Sequence, residues 1–285
     1  MLHVCLTHDI DRTYKSHQYI TKFVRSIFKL SYSGVVGQIK SLFVKHPYWG
    51  FNELIEIERD YNVRSTIFFL NESIKFNPLK PITFQLSSGR YNINSSRIEG
   101  VIRYLDANGW EIAVHGSYNS YRDKSLMIKE KSVLEEIVGH EIIGIRQHYA
   151  KLSEKTWQYQ QEAGFKYDSS FGYTDKIGFK DDKITPFAPF NNDFYVIPLV
   201  VMDMCFVNRQ NNWEELDFIM EQCENSNGVL VIDFHQHTFH EYDFPGYRDA
   251  YIRIIEKCRD RKAEFSTLSE IYTSIVSCGF NHDKL

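Results

Sequence analysis

Short apolar runs, separated by amphipathic segments, recur along most of the chain. The runs that are typical of buried strands cover residues 2–6, 65–70, 111–115, 142–145, 195–201 and 229–234. Between several of them, the apolar positions have helical spacing, at residues 52–61, 95–108 and 123–138. Because strands that alternate with helices are joined by crossover connections, this order predicts an α/β fold with parallel strands. No linker or repeat divides the sequence, so we expect a single domain over residues 1–285.

Chemically reactive side chains stand where these predicted strands end. They are Asp9 and Asp11 after the first run, then His115, then Arg146 with His148, and finally His235 with His237. The carboxyl ends of parallel strands meet at one edge of a sheet, so we expect these groups to form one site. Asp9 and Asp11 also point to the same face of a strand. Two carboxylates crowded in this way require a cation or a shared proton between them.

Aspartate and neutral imidazole are ligands that suit zinc, and a catalytic zinc keeps three protein ligands and an open position for water. Asp11 and His115 are the first two predicted ligands. Asn119 follows His115 by four residues, and on one helical turn the two side chains would face the same way. We therefore predict Asn119 as the third ligand, although an amide oxygen is a weak ligand for zinc.

The remaining groups at this edge suit proton transfer. Asp9, next to a metal, is predicted to take a proton from water, and Arg146 is predicted to keep that carboxylate ionised. His235 is the predicted proton donor to a leaving group. His237 and Asp233 share its side of the strand, so either of them could orient His235 or replace it.

Charge is distributed unevenly along the sequence. Residues 12–52 contain seven Lys or Arg and no Asp or Glu, which leaves a net charge of −11 for the rest of a chain whose total is −4. The same stretch is rich in Tyr, Phe and Trp, so it predicts a basic aromatic helical insertion. Such helices contact anionic membranes or hold anionic ligands. The alternative is that the insertion packs its apolar face on the domain.

Cysteine usage and hydropathy bear on the compartment. The five cysteines are an odd number without CxxC spacing, which favours a reducing compartment over a disulfide framework. No apolar stretch approaches the roughly 20 residues that span a bilayer, and the first residues lack the features of a leader peptide. We expect a cytoplasmic protein.

Five segments resemble, in chain order, the motifs of the polysaccharide deacetylases, carbohydrate esterase family four, also called NodB-like proteins. Residues 7–11 (THDID) resemble the Asp-Asp motif, and residues 109–117 (GWEIAVHGS) resemble the motif that contains the first ligand histidine. Residues 145–149 (IRQHY) are similar to the Arg motif, 167–173 (YDSSFGY) to the Asp-Ser-Ser-Phe motif, and 232–235 (IDFH) to the final His motif. The ordered set covers most of the chain and is far more specific than any one motif.

The resemblance implies a distorted (β/α)7 barrel that removes an acyl group with water activated by a divalent metal, most commonly zinc. By motif position, Asp9 is the base, Arg146 its partner, Asp11 and His115 are ligands, and His235 is the general acid. The residues expected to bind substrate are Asp168, Phe171 and Tyr173, with His148 and His237. The sequence departs from the family at Asn119, where a second ligand histidine is expected, and at His148, which replaces a proline. The metal site is therefore expected to be altered, with His8, His148 or His237 as sources of the missing imidazole.

We predict a metal-dependent hydrolase that removes an N-acyl group, acetyl in most of the family, from an amino sugar. The basic insertion favours an anionic sugar, nucleotide- or lipid-linked, in lipopolysaccharide, O-antigen or other surface polysaccharide biosynthesis. The enzyme would then work in the cytoplasm, peripheral to the inner membrane face. The alternative is a deacetylase-like glycan-binding protein that has lost catalysis. Nucleic-acid binding is not expected, because the chain outside the insertion is acidic.

Overall fold

The computed structural model describes residues 1–190, 192–208 and 212–278. Within them, nine strands form one sheet in which every strand pair is parallel. The strands are β1 (His3–Ile10), β2 (Thr66–Leu70), β3 (Glu111–Gly116), β4 (Gly144–Gln147), β5 (Tyr167–Asp168), β6 (Tyr195–Val196), β7 (Val201–Met202), β8 (Val229–Asp233) and β9 (Glu264–Phe265). Their order is β6-β5-β4-β3-β2-β1-β8-β7, and β9 pairs with β1. The sheet curls into a half-barrel, which confirms the predicted fold class.

Helices connect the strands, and several of them pack against the outer face of the sheet. They are α1 (Gln18–Phe28), α2 (Tyr32–Ser41), α3 (Phe51–Asp60), α4 (Ile82–Ser87), α5 (Ser96–Ala107), α6 (Lys124–Val138), α7 (Thr156–Glu162), α8 (Asp203–Val207), α9 (Trp213–Ser226), α10 (Tyr247–Asp260) and α11 (Leu268–Cys278). None of the helices described here is both long enough and apolar enough to cross a bilayer.

The apolar run at residues 195–201 differs from its prediction. We expected one strand, but the structure has two short strands, β6 and β7, on opposite edges of the sheet. Pro198 lies between them and has no N–H to donate to a ladder. The two residues after it bond to different partners, since Leu199 N donates to Phe171 O and Val200 N donates to Val231 O. Proline therefore moves the chain from one edge of the half-barrel to the other.

The inner face of the sheet changes from apolar to polar along the strands. Near their amino ends, Cys5, Phe68 and Val231 pack in a buried cluster with Leu268 and Ile271 of α11. Side chains two residues further along a strand point to the same face. The inner face therefore continues from this cluster to the polar groups at the carboxyl ends. Helix α11 closes the floor, and the polar groups remain open at the top.

A buried polar cluster attaches the basic insertion to the loop after β8. Asp243 accepts hydrogen bonds from Lys15 Nζ at 2.9 Å, from Gln38 Nε2 at 2.7 Å and from Tyr48 Oη at 2.6 Å. Burial opposes ionisation of Asp243, but these donors hold its pKa below the usual value. The cluster places the start of the insertion beside the carboxyl edge of the sheet.

Candidate active site

A cavity of about 270 Å³ opens at the carboxyl edge of the sheet. Strand ends and the loops after them supply its walls, as expected for an α/β fold of this kind. The lining residues that were predicted from sequence are Asp9, Asp11, His115, Arg146, His148, His235 and His237. Those that were not predicted include Arg12, Gln85, Tyr149, Thr174, Met202 and Met204. Residues that are far apart in sequence but follow the ends of parallel strands thus line one cavity, as the sequence predicted.

Asp11, His115 and His148 converge in this cavity. Oδ1 of Asp11 lies 3.2 Å from His115 Nε2 and 3.4 Å from His148 Nε2. Each of the three offers one ligand atom, and these atoms all lie within 4.8 Å of one another. Burial opposes ionisation of Asp11, but His148 and His115 hold its pKa well below the usual value. One carboxylate and two imidazoles form the kind of ligand set that binds zinc.

His115 has the orientation that a metal ligand needs. Its Nδ1 lies 2.9 Å from the carbonyl oxygen of Arg146, and a carbonyl can only accept. Nδ1 therefore carries a proton, and Nε2, the atom that would bind a metal, faces Asp11. Oδ1 of Asp11 is buried and has no hydrogen-bond partner among the described residues. A cation among these three groups would satisfy that oxygen, so the residues present fit a divalent metal.

A strained turn presents His148 to the cavity. The next two residues, Tyr149 and Ala150, have positive φ angles of 60° and 50°, a region that residues other than glycine rarely occupy. The Tyr149 ring stacks on the His148 imidazole, with centroids 4.2 Å apart and planes 21° apart. Strained backbone of this kind concentrates at functional sites. His148, which we had predicted as a substrate-binding residue, lies beside Asp11 with the Tyr149 ring stacked on it.

Asn119 lies differently from the sequence prediction. His115 belongs to strand β3, so the expected helical turn from His115 to Asn119 is wrong. Oδ1 of Asn119 accepts a hydrogen bond from Arg122 Nη2 at 3.1 Å. Asn119 is not among the described residues that line the cavity. His8 is also engaged elsewhere, because its two ring nitrogens lie 2.6 Å from Phe234 O and 2.8 Å from Glu58 Oε1.

Asp9 stands next to the three converging groups and is paired with Arg146. Arg146 Nη1 donates to Asp9 Oδ1 at 3.0 Å, while Asp9 Oδ2 lies 3.7 Å from His115 Nε2. Burial opposes the negative charge, but His115 and Arg146 hold the pKa of Asp9 below its usual value. Asp9 is therefore an ionised carboxylate that can accept a proton inside the cavity.

Arg146 is shared with a second buried carboxylate, Asp233. Its Nη1 also donates to Asp233 Oδ1 at 2.9 Å and to Thr7 Oγ1 at 2.8 Å. Burial and the charge of Asp9 raise the pKa of Asp233 to about 7. One guanidinium cannot compensate two buried carboxylates fully, so ionisation of Asp233 is disfavoured while Asp9 stays charged.

His235 is held by Asp203, a residue that the sequence analysis missed. Its Nδ1 lies 3.1 Å from Asp203 Oδ1, and its backbone N–H donates to Asp203 Oδ2 at 2.9 Å. Burial works against the charge, but Asp203 and Asp233 hold the pKa of His235 well above its usual value. His235 is thus a protonated imidazole, with Nε2 3.6 Å from Asp11 Oδ2. Asp203 follows the apolar run at 195–201, so the strand-end rule could have found it.

The other residues predicted to bind substrate occupy different surroundings. His237 lines the cavity, and burial together with the charge of His235 holds its pKa well below the usual value. Asp168 is buried, and its carboxylate accepts hydrogen bonds from Trp157, Gln160 and Ser170. Phe171 packs edge-on against the Trp157 ring, and the Lys176 ammonium lies 4.0 Å from the centroid of the Tyr173 ring. Of residues 168–174, Thr174 lines the cavity in the part of the chain that the structure describes. Substrate binding by Asp168, Phe171 and Tyr173 therefore stays a prediction.

Solved structures with the same fold cover nearly the whole chain. A Mycobacterium smegmatis protein classed as a polysaccharide deacetylase is 18% identical, with a TM-score of 0.61 over 100% of this chain and 93% of that one. A probable polysaccharide deacetylase from Pseudomonas aeruginosa PAO1 is 17% identical, with a TM-score of 0.60 over 98% and 93%. Puue allantoinase is 16% identical, with a TM-score of 0.60 over 100% and 92%. At these identities, the likeness shows the fold alone.

The family is shown by sequence. No curated protein has significant sequence similarity to the chain. The profile of the family described as WbmS-like polysaccharide deacetylase matches residues 96–241, about half of the chain. The matched segment contains His115, Arg146, His148, Asp203 and His235, while Asp9 and Asp11 precede it. The chain therefore belongs to the WbmS-like polysaccharide deacetylase family, which confirms the enzyme class that its motifs predict.

Proposed function

We propose that this enzyme is a metal-dependent hydrolase that removes the acetyl group from an N-acetylated amino sugar. The observation that carries the proposal is the convergence of Asp11, His115 and His148 beside the ionised carboxylate of Asp9. Three ligands, a base next to them and an imidazole whose Nε2 lies 3.6 Å from the Asp11 carboxylate are the groups that amide hydrolysis needs. Because the ligands, the base and the proton donor are all present, the site favours an enzyme over a glycan-binding protein that has lost catalysis.

We assign the metal to Asp11, His115 and His148. His148 thus replaces Asn119, which the sequence predicted as the third ligand. His148 Nε2 lies 3.4 Å from the carboxylate of Asp11, whereas the amide oxygen of Asn119 accepts a hydrogen bond from Arg122. Imidazole is also a stronger zinc ligand than a neutral amide. When bound, the metal would lower the pKa of water and polarise the acyl oxygen.

Proton transfer is assigned to two residues beside this cluster, Asp9 and His235. Asp9 accepts a proton from the attacking water, and Arg146 keeps the carboxylate oriented through the 3.0 Å hydrogen bond. His235 donates its Nε2 proton to the amide nitrogen as the C–N bond breaks, while Asp203 stabilises the charged ring. The products are acetate and the free amine of the sugar.

Release of acetate from N-acetylated sugars tests the proposal. The purified protein, reconstituted with zinc, is expected to release acetate from at least one member of a panel of N-acetylhexosamines, their phosphates and their nucleotide conjugates. We expect Asp9→Asn to lower kcat by about 10²-fold or more, because general base catalysis typically contributes that much. Zinc content and thermal unfolding should remain close to those of the unmodified protein.

Two results would contradict this assignment. A reconstituted protein that binds zinc but releases acetate from no member of the panel would argue against deacetylase activity. An Asp9→Asn variant with unchanged kcat would remove Asp9 from the mechanism. Exposed Asp249 provides the matched control, since Asp249→Asn makes the same chemical change outside the cavity.

We further propose that the substrate is an anionic precursor of a surface polysaccharide, such as lipopolysaccharide or O-antigen, and that the basic insertion rests on an anionic membrane in the cytoplasm. The side chains that support membrane contact are large, apolar and exposed: Ile20, Val24, Ile27, Phe28, Leu30, Tyr32, Ile39, Leu42, Phe43 and Val44. The exposed fraction reaches 83% for Phe28, 93% for Leu30 and 85% for Phe43. Apolar exposure on this scale marks an interaction surface.

A second exposed apolar segment lies against the insertion. Phe76, Leu79, Ile82 and Phe84 are exposed, and the Phe84 ring is 5.0 Å from the ring of His17. Residues 76–84 and the exposed apolar residues of 20–44 together form what we call the apolar face. The insertion carries only positive charges, so anionic lipid headgroups complement it. Gln85 of α4 and Arg12 line the cavity, so the apolar face adjoins its entrance.

Vesicle sedimentation tests this contact. The protein is expected to sediment with vesicles of phosphatidylcholine and phosphatidylglycerol in equal parts, and much less with phosphatidylcholine alone. Combining Phe28→Ser, Leu30→Ser and Phe43→Ser should abolish sedimentation, because the apolar part of the contact is removed. Phe218→Ser is the control, since Phe218 is exposed on α9, outside the apolar face. Equal binding to both vesicle types, or a stable dimer lost in the triple variant, would contradict membrane contact.

A further inference from the structure

Arg12 lines the cavity and is not used by the catalytic groups assigned above. Its Nε is buried and has no hydrogen-bond partner among the residues that the structure describes. An unpaired buried donor is uncommon in folded proteins, and each one requires an explanation. No carboxylate in the described part of the chain forms an ion pair with Arg12. The cavity therefore contains a guanidinium that pairs with no carboxylate of the described residues.

The neighbouring carboxylates already have other partners. Asp9 forms an ion pair with Arg146, and Oδ1 of Asp11 lies 3.2 Å from His115 Nε2 and 3.4 Å from His148 Nε2. Outside the cavity, Lys15 of the insertion is paired with Asp243. These carboxylates thus have charged or imidazole partners other than Arg12. Binding of a divalent cation by Asp11 and the histidines would make the cavity more positive still.

The backbone of Arg12 is fixed at the cavity wall. Its carbonyl oxygen accepts a hydrogen bond from Gln236 Nε2 at 2.5 Å, which ties the residue to the loop after β8. The same Nε2 also donates to the Tyr48 carbonyl oxygen at 3.3 Å. Thr13, the next residue, is fully buried. Because the backbone is fixed, the entropy lost on ligand binding is limited to the rotamers of the Arg12 side chain.

We propose that Arg12 binds an anionic substituent of the sugar substrate, either a phosphate ester or a carboxylate. A guanidinium presents a planar fork of donors that matches both anions. Uncharged polar side chains of Gln85, Tyr149 and Thr174 line the same cavity and can complete the recognition. Arg12 is a substrate-binding residue that selects charged over neutral N-acetyl sugars. This inference rests on the proposed function, since it names the substrate class of the same cavity.

Binding to an inactive variant separates this inference from the catalytic proposal. Zinc-loaded Asp9→Asn protein is titrated in a calorimeter with neutral N-acetylglucosamine, with N-acetylglucosamine 1-phosphate and with an N-acetylhexosaminuronic acid. At least one charged sugar is expected to bind about 10- to 100-fold more tightly than the neutral sugar, the range for charge-assisted hydrogen bonds. The sugar that shows the preference identifies the substituent as a phosphate or a carboxylate.

Adding Arg12→Met to this protein is expected to abolish the preference, and Arg12→Lys should retain part of it. Lys29→Met is the matched control, because Lys29 is an exposed cation of the same insertion. Thermal unfolding checks that each variant folds. A preference that survives Arg12→Met would assign anion binding to the metal or to another residue, and no preference in the parent would overturn the inference. Arg12-dependent binding without acetate release from any sugar would contradict the catalytic proposal alone.

Discussion

Replacing His148 by alanine is expected to release the metal, whereas replacing Asn119 by alanine should leave it bound. His148 Nε2 lies 3.4 Å from the Asp11 carboxylate, and the amide oxygen of Asn119 accepts a hydrogen bond from Arg122. Loss of a residue that only supports a ligand already weakens metal binding by about 10- to 100-fold. Loss of a ligand should therefore weaken it by more than about 100-fold. Zinc stoichiometry after dialysis, with acetate release as a second readout, measures the effect.

The two alanine variants also distinguish the assignments of the third ligand. His115→Ala provides the reference, because His115 is a ligand in both assignments. Metal that is lost in Asn119→Ala but retained in His148→Ala would restore the assignment that the family motif suggests. Metal that is retained in both variants would move the third position to another residue. His140→Ala is the matched control, since His140 lies on the surface and bonds to Asp106.

Replacing Asp203 by asparagine is expected to lower kcat by about 10²-fold, since general acid catalysis contributes about 10²- to 10⁴-fold. The replacement should also narrow the pH range over which kcat is high. Asp203 is among the charges that hold the pKa of His235 well above its usual value. A neutral amide removes this contribution, so His235 should lose its proton at lower pH than in the unmodified enzyme. Because the acid form of His235 is the active one, the alkaline limb of the kcat profile should move to lower pH.

A structural role for Asp203 predicts a different result. If Asp203 only stabilised the loop after β7, the melting temperature would fall but the alkaline limb would not move. His235→Ala should lower kcat by at least as much as Asp203→Asn. Combining the two changes should add little, because both act on the same proton. Additive losses would show that Asp203 acts independently of His235.

The pattern of apolar runs followed by polar residues predicted many of the residues that line the cavity, and the reason is physical. Parallel strands end at one edge, and polar residues directly after buried apolar runs therefore meet in space. Asp9, His115, Arg146 and His235 were identified in this way, and all four line the cavity. The same rule applied to the run at 195–201 would have reached Asp203. Only the structure shows that Asp203 follows β7, which lies next to β8 and so brings Asp203 beside His235.

Sequence spacing failed where the local backbone departs from a regular element. The interpretation of Asn119 assumed a helical turn, but His115 ends a strand, and residues 120–122 form a separate short 3-10 turn. His148 was interpreted as a substitution for a proline in the Arg motif. Its approach to Asp11 depends on how the ends of β1 and β4 lie in the sheet, which local sequence does not show.

The sequence by itself determined the parallel α/β fold, the family, the carboxylate pair and a basic insertion of exceptional charge. These follow from patterns that are local along the chain: apolar period, motif order and composition. Only the tertiary structure decided which histidine stands beside Asp11, which aspartate holds His235, and that Arg12 lines the cavity with its Nε unpaired among the described residues. Those relations depend on distances between side chains that are far apart in sequence, set by strand register and strained turns. Local patterns contain no information about such distances.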